Sequence, residues 1–298
     1  MQVNDDRSVG ECRIRSLRPV KPASISDRQR ARLRRGLFYG LVVVVLGAYL
    51  FPFYWMVLSS LKNQLQNIAF PPLFLFPPTL ENYRSVFVNN PFFLFLWNSL
   101  LIGAGSTLLG LLLGLPAAYG IARFKKGGVA LGFLIARIAP GISYLVPWFI
   151  IFSDLHLVGG YTALILSHLT VALPLTVWIM IGFFEDIPQE LEDAAFIDGA
   201  DRFDIFLRVA LPFVKPGIAT AGILSFIQSW NTFMYSVVLS NSQTRTLPVA
   251  VFGFLSYGGF DWGSLTAAAT IITLPVMVLT LFIQRHIVAG LSMGSVKG

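Results

Sequence analysis

The sequence predicts an all-α, polytopic integral membrane protein with six transmembrane helices and both termini in the cytoplasm. Three observations carry that prediction. Of the 298 residues, 55% are hydrophobic and only 12% charged, where a soluble domain carries about 25% charge. The mean hydropathy is +0.70. That leaves too little polar cover for a water-soluble globule of this size, which excludes a cytosolic enzyme, a secreted disulfide scaffold and a disordered tail. Six stretches reach the roughly 20 apolar residues that cross a hydrocarbon core, at 36–60, 93–121, 129–152, 161–184, 216–240 and 264–284. Lys and Arg, finally, fall on alternate connections.

Taken in order, residues 1–35 form a basic N-terminal segment with ten of the 22 Lys and Arg, and residues 36–298 form the membrane domain. Connection 122–128 adds Arg123, Lys125 and Lys126, connection 185–215 adds Arg202, Arg208 and Lys215, and the tail adds Arg285 and Lys297. The opposite side holds only Lys62, Arg84 and Arg245. The excess marks the cytoplasmic side, so the net charge of +7 is a topology signal and no nucleic-acid partner is expected. No small-residue cleavage site follows span one, which reads as a retained anchor. The lone Cys12 allows no internal disulfide. Pro52, Pro116, Pro140, Pro147, Pro174 and Pro275 sit within spans, where they are expected as kinks. The external connection 61–92 is rich in Pro and is expected as extended chain; it and connection 241–263 are candidates for touching an external partner.

The connection 185–215 does not read as a simple loop. It holds eight of the fifteen carboxylates. Pro188 suits a first helical turn with Asp186 as cap, and Gly199 stands where a helix end wants a left-handed residue. Asp201 can cap a second helix in which Phe203, Phe206, Leu207, Ala210 and Leu211 form one apolar stripe. Two readings are open for this hinged pair: the stripe packs on the protein's own helix ends with the carboxylates in water, or the pair is a docking surface for a cytoplasmic partner.

Glu192-Asp193-Ala194-Ala195, then Gly199, then Val209-x-Leu211-Pro212 resembles the EAA signature of bacterial ABC importer membrane subunits, E-A-A-x3-G-x9-I-x-L-P. Asp193 stands where Glu is usual and Val209 where Ile is usual. Trp230-Asn231, Asp261-Trp262-Gly263 and the tail from Gly294 to Gly298 resemble the shorter-chain subunit of the maltose-type carbohydrate permeases. The resemblance implies the type I importer fold in the bacterial cytoplasmic (inner) membrane. It also implies a heterodimer with a homologous second permease subunit, two ABC ATPase subunits, and an extracytoplasmic solute-binding protein. Glu192, Asp193, Ala194, Ala195, Asp198, Gly199, Leu211 and Pro212 would then form the ATPase-docking segment. The tail would reach the ATPase interface.

Elimination points the same way for the energy source. The chain has no phosphate-cradling G-x-x-x-x-G-K-[ST] string, no catalytic-nucleophile or metal-ligand pattern, and three scattered His. No cofactor or metal is expected on this chain; ATP and Mg would bind the partner ATPase. The spans contain no Asp or Glu, the usual seats of ion coupling. Energy would therefore enter from another subunit, and the chain itself would not be an enzyme.

Arg137 and His168 are the strongly polar side chains inside spans. An intramembrane Arg should face the bundle interior or water; His168 reads as a satisfied interior residue. For a sugar, flat aromatic faces meet C–H surfaces while amides and hydroxyls take the ring OH groups. Gln228, Asn231 and Tyr235 share a helical face, and Tyr144 and Trp148 are one turn apart. With Arg137 they are the expected substrate pathway, Asn231 foremost. The rivals are the same architecture for a polyol, glycerol phosphate or an acidic or sulfonated sugar; a stand-alone channel or secondary carrier; and a lipid-active membrane enzyme.

Overall fold

A computed structural model describes residues 25–256 and 259–294 along the backbone. The expected N-terminal basic residues from Arg7 to Lys21, Tyr257 and Gly258, the side chains of Arg285 and His286, and the tail beyond Gly294 lie outside the described residues. The chain divides into two compact units, Met1–Phe53 and Tyr54–Gly298.

Helix α1, Ile25–Ser60, begins ahead of the apolar stretch at 36 because Gln29 to Arg35 are mostly good helix formers; only Arg32–Ser60 has the apolar length to cross a membrane. In the first unit none of the described side chains from Arg32 to Phe53 is buried, although Val43, Val44 and Tyr49 are among them. This apolar surface has the length and composition to cross a membrane.

In the second unit, α2 (Gln64–Asn67) and α3 (Glu81–Val88) correct the expectation of an extended connection at 61–92. Helix α2 precedes Pro71 and α3 lies between Pro78 and Pro91, so neither helix contains a proline and both stretches are free to coil. Asn63 and Gln66 cap α2 reciprocally. Lys62, counted as an external charge, is buried over the rings of Trp55 and Phe76, and burial pulls its pKa below the usual lysine value.

The membrane-length helices that follow are α4 (Phe92–Arg123), α7 (Tyr161–Glu185) and α13 (Trp262–Gly294). Helices α4 and α7 lie side by side. Gly110 and Gly114, one turn apart, meet Ala172 and Thr176. A Cβ at Gly114 would sit 2.8 Å from Thr176 Cγ2, so the close approach needs glycine there. Among the described residues, α1, α4, α7 and α13 have spanning length alone, and two bent helix pairs raise the number to six.

The two remaining spans are not single rods. Span three is α5 (Gly127–Ile138) and α6 (Gly141–Asp154), bent by 90°. Pro140 forces Ala139 into extended backbone and cannot donate to Ala136, four residues back; the Tyr144 hydroxyl donates to the Ala136 carbonyl instead, at 2.9 Å. The other span prolines ride inside their helices. The second bent pair is α9 (Arg202–Phe213) with α10 (Lys215–Trp230), at 78°; the expected span five, 216–240, is α10 followed, after Asn231, Thr232 and Phe233, by the short α11 (Met234–Leu239). The Asn231 amide donates to Ile227 O at 2.9 Å and the Thr232 hydroxyl to Gln228 O at 2.8 Å. The Thr232 hydroxyl thus satisfies a carbonyl that the break would leave bare, and the Asn231 amide adds to the bond that Ile227 O already accepts from Asn231 N at 3.1 Å.

Between spans four and five lie α8 (Gln189–Ile197) and α9 (Arg202–Phe213). Pro188, with no capping side chain, precedes α8, and Asp186 instead closes α7, which corrects the expected Asp186 cap. Gly199 has φ +91°, and Asp201 caps α9 by accepting from Asp204 N at 2.7 Å, both as expected. Residues Ile205–Ala210 form a π-helical turn. It resets the period, so the expected stripe splits. Ile205 and Ala210 are buried and Phe206 and Leu211 partly so, while Phe203 and Leu207 face outward. Past span five, α12 (Leu247–Val251) and a two-residue antiparallel ribbon, β1 (Leu255–Ser256) with β2 (Gly259–Phe260), lead to α13.

Candidate functional site: a cavity at two helix breaks and a charged joint

Both helix breaks open on one cavity of about 310 Å³. From span three come Arg137, Ala139, Gly141 and Tyr144; from span five come Gln228, Asn231, Thr232, Phe233 and Tyr235; α7 adds Thr170. Five of the six residues expected on the pathway meet here: Asn231, Tyr235, Gln228, Arg137 and Tyr144. They converge because the chain folds around the space and not because Gln228, Asn231 and Tyr235 share one helix face; the helix carrying them is broken. Trp148 is the sixth, and it stands one layer back. It stacks on Phe152 with ring centroids 4.8 Å apart and donates its indole N–H to Thr170 Oγ1 at 3.0 Å.

The polar groups of the cavity are amides, hydroxyls and one guanidinium set in a largely apolar wall, with no carboxylate in its lining. Tyr235 is 2% exposed, yet its hydroxyl has no hydrogen-bond partner in the structure. That is a buried donor and acceptor left unbonded in a residue of the cavity lining, which costs free energy until something bonds it. His168 is buried behind it, hydrogen-bonded through Nδ1 to Ser229 Oγ at 2.7 Å and through Nε2 to Ser236 Oγ at 3.3 Å. Ser229 is on α10 and Ser236 on α11, so the imidazole of α7 bridges the two halves of the broken span. It is a satisfied interior histidine, as its sequence context implied, in a position that sequence spacing could not show.

The second constellation lies where α8 meets the end of α4. Arg123 Nη2 is 2.6 Å from Glu192 Oε1, and Arg123 Nε donates to the same oxygen at 2.7 Å. The Tyr119 hydroxyl donates to Glu192 Oε2 at 3.0 Å, and Arg123 Nη2 also reaches the Ile187 carbonyl at 3.4 Å. The side chains of Arg123 and Glu192 are only 14% and 11% exposed. Around the pair, the Tyr119 ring packs on Phe184 and Phe206, and Arg202 lies over the Phe124 ring at 5.4 Å. Of the expected docking residues, Glu192 thus points inward and Leu211 packs on the buried cluster. Asp193, Ala194, Asp198, Gly199 and Pro212 are exposed and Ala195 is half-buried. The exposed face of α8 also carries Phe196 and Ile197 at 62% and 84% exposure. Tyr119 and Arg123 are members of this constellation that sequence reading missed. Arg123 entered it only as a topology charge.

A family model described as "binding-protein-dependent transport system inner membrane component" matches residues 107–293, a range that runs from α4 through both constellations. The chain belongs to that family. This inner membrane component is 38% identical over 255 residues to the sulfoquinovosyl glycerol transport system permease protein SmoH of Agrobacterium fabrum, covering 84% of this chain and 89% of that protein. It is 36% identical over 272 residues to the trehalose transport system permease protein SugB of Mycobacterium tuberculosis, covering 89% and 99%. A bacterial ABC transporter chain involved in importing the acidic polysaccharide alginate superposes with a TM-score of 0.70 at 20% identity, covering 89% of this chain and 99% of that one; it establishes the shared fold. The component is an all-α, multi-pass membrane subunit of an ABC importer.

Proposed function

We propose that this chain is the shorter-type permease subunit of an ATP-driven importer that carries a carbohydrate through the bacterial cytoplasmic membrane. ATP and Mg bind to two partner ATPase subunits, a homologous permease completes the pathway, and an external binding protein delivers the solute. The single observation that carries the solute reading is the cavity at the two breaks, with its ring of hydroxyls and amides and the buried, unbonded Tyr235 hydroxyl. A polyhydroxylated solute supplies complementary donors and acceptors there, while Tyr144 and Phe233 offer apolar faces. Sugar names among the relatives support the same class. Drive enters at the exposed face of α8, where acidic Glu190, Asp193 and Asp198 flank Phe196 and Ile197. An apolar centre with a charged rim suits a docking surface.

The test is uptake of labelled sugars by proteoliposomes holding the purified assembly, with and without ATP. Uptake that needs ATP and the binding protein is the expected result; uptake by this chain alone would establish a stand-alone carrier instead. In the same assay Gly199→Val should abolish uptake while the bundle still inserts. No atom stands within 4 Å of the Cβ it would add, so its effect is confined to a backbone at φ +91° that a β-branched residue resists. Wild-type uptake by Gly199→Val would remove the docking role. A second reading, an acidic or sulfonated sugar, is favoured by Arg137, which lines the cavity without a carboxylate nearby. Competition of uptake by neutral and anionic sugars separates the two.

A further inference from the structure

The segment Ile187–Phe213 is joined by the chain to α7 and α10, so those helices would be the natural recipients of any motion applied to it. One side-chain contact does run to α7, Phe206 against Phe184 with ring centroids 6.3 Å apart, but most of the segment's contacts run elsewhere. Five of them run to three residues at and just past the end of α4: Arg123 to Glu192, Tyr119 to Glu192, Arg123 to the Ile187 carbonyl, Tyr119 to the Phe206 ring and Phe124 to Arg202. The central contact is an ion pair withdrawn from water, with both carboxylate oxygens occupied. A buried pair of this kind contributes little net stability, but it is costly to break by removing one partner, so it fixes geometry. Exposed ion pairs such as Arg208–Asp204, with Arg208 80% exposed, do not have that property.

We propose that the Arg123–Glu192 pair, completed by Tyr119, is the joint that makes α8 move as one body with the cytoplasmic end of α4, so that work applied to the exposed face of α8 is delivered to span two. The inference rests on the docking reading above for the source of the work, and adds the recipient. Helix α4 is well suited to receive it. It packs along α7 through Gly110 and Gly114, and Ser106 on α4 is hydrogen-bonded at 2.9 Å to Ser229, which holds His168 at the broken span. Glu192 and Arg123 are positioning residues in this scheme: neither lines the cavity.

The experiment uses the intact importer, purified through a tag on this chain and placed in nanodiscs. Spin labels at Gln189 and Lys126, both exposed, report the separation of α8 from the end of α4, with and without ATP. The wild type should give one narrow distance in both states. Glu192→Gln and Arg123→Ala should each broaden it and lower solute moved per ATP hydrolysed at least five-fold. The exchanged pair Arg123→Glu with Glu192→Arg should recover both, and Glu192→Asp the coupling in part. Glu192→Gln keeps the side-chain shape, which guards against simple misfolding; assembly is checked by size-exclusion. An unchanged narrow distance, or wild-type coupling, in Glu192→Gln overturns the joint, as does a wild type whose distance is already broad or changes on ATP binding. A photo-crosslinker at Ile197 tests docking separately: failure to capture a nucleotide-binding subunit defeats that reading, while the distance measurement still decides the joint.

Discussion

Arg123 and Arg137 lie fourteen residues apart in sequence, and their surroundings are opposite. Arg123 is enclosed, and its hydrogen-bonding groups are taken up by Glu192 and a backbone carbonyl. Arg137 stands at the rim of a cavity, and no ion pair to it is found among the described residues. The same contrast separates the hydroxyls of two tyrosines. That of Tyr119 is bonded within the chain, whereas that of Tyr235 is buried and bonded to nothing. Polar groups whose partners come from the same chain hold shape; polar groups left unbonded in a cavity lining wait for a molecule. By this criterion the contrast supports the two proposals, a charged joint that is machinery and a cavity that is a receptor.

Substitutions at five positions test the contrast. The largest effect is expected from Arg123→Ala, which strands a buried carboxylate; loss of one partner of such a pair costs about 3 to 5 kcal/mol, read as a lowered melting temperature of the purified assembly. Next, Asn231→Ala should cut uptake about ten-fold, the equivalent of about 1.4 kcal/mol of lost solute bonding, measured as transport at subsaturating sugar. Tyr235→Phe sharpens the comparison most. It removes a hydroxyl with no partner in the chain, so the melting temperature should hold or rise while uptake falls several-fold; a fall in both would make Tyr235 structural. Arg137→Ala should lower uptake with melting unchanged, because no ion pair is broken, and Arg137→Lys should restore it partly if only charge matters. The smallest effect is expected from Trp148→Phe. It loses one hydrogen bond to Thr170, worth about 1 kcal/mol, behind the cavity lining, and uptake should stay within about two-fold.

The spans and their number were readable because apolar runs of bilayer length are a property of composition alone. The hinge at Gly199 and the Asp201 cap were readable because they are local backbone chemistry. The cavity residues were found by type, as amides and aromatics in otherwise apolar spans, while the reason for their meeting was not. A helical wheel assumes an unbroken helix, and nothing in Asn231-Thr232-Phe233 announces that its side chains will satisfy a broken turn. Glu192 illustrates the other limit. In the sequence it is one of eight carboxylates in a polar segment, and its partner lies sixty-nine residues upstream. Only packing separates the acid that faces inward from Asp193, its neighbour that faces out.

The π-helical turn at Ile205–Ala210 also explains a spacing. One residue more than an α-helix needs is folded into that turn, so the stretch preceding it is rotated by about 100° relative to the stretch after it. Deleting a single residue there would let an ordinary helix form and relieve the irregularity. It would also swing everything upstream, Glu192 included, out of line with Arg123. The nine residues between Gly199 and Val209 therefore act as a gauge block: their number sets the angle at which a carboxylate arrives at its guanidinium.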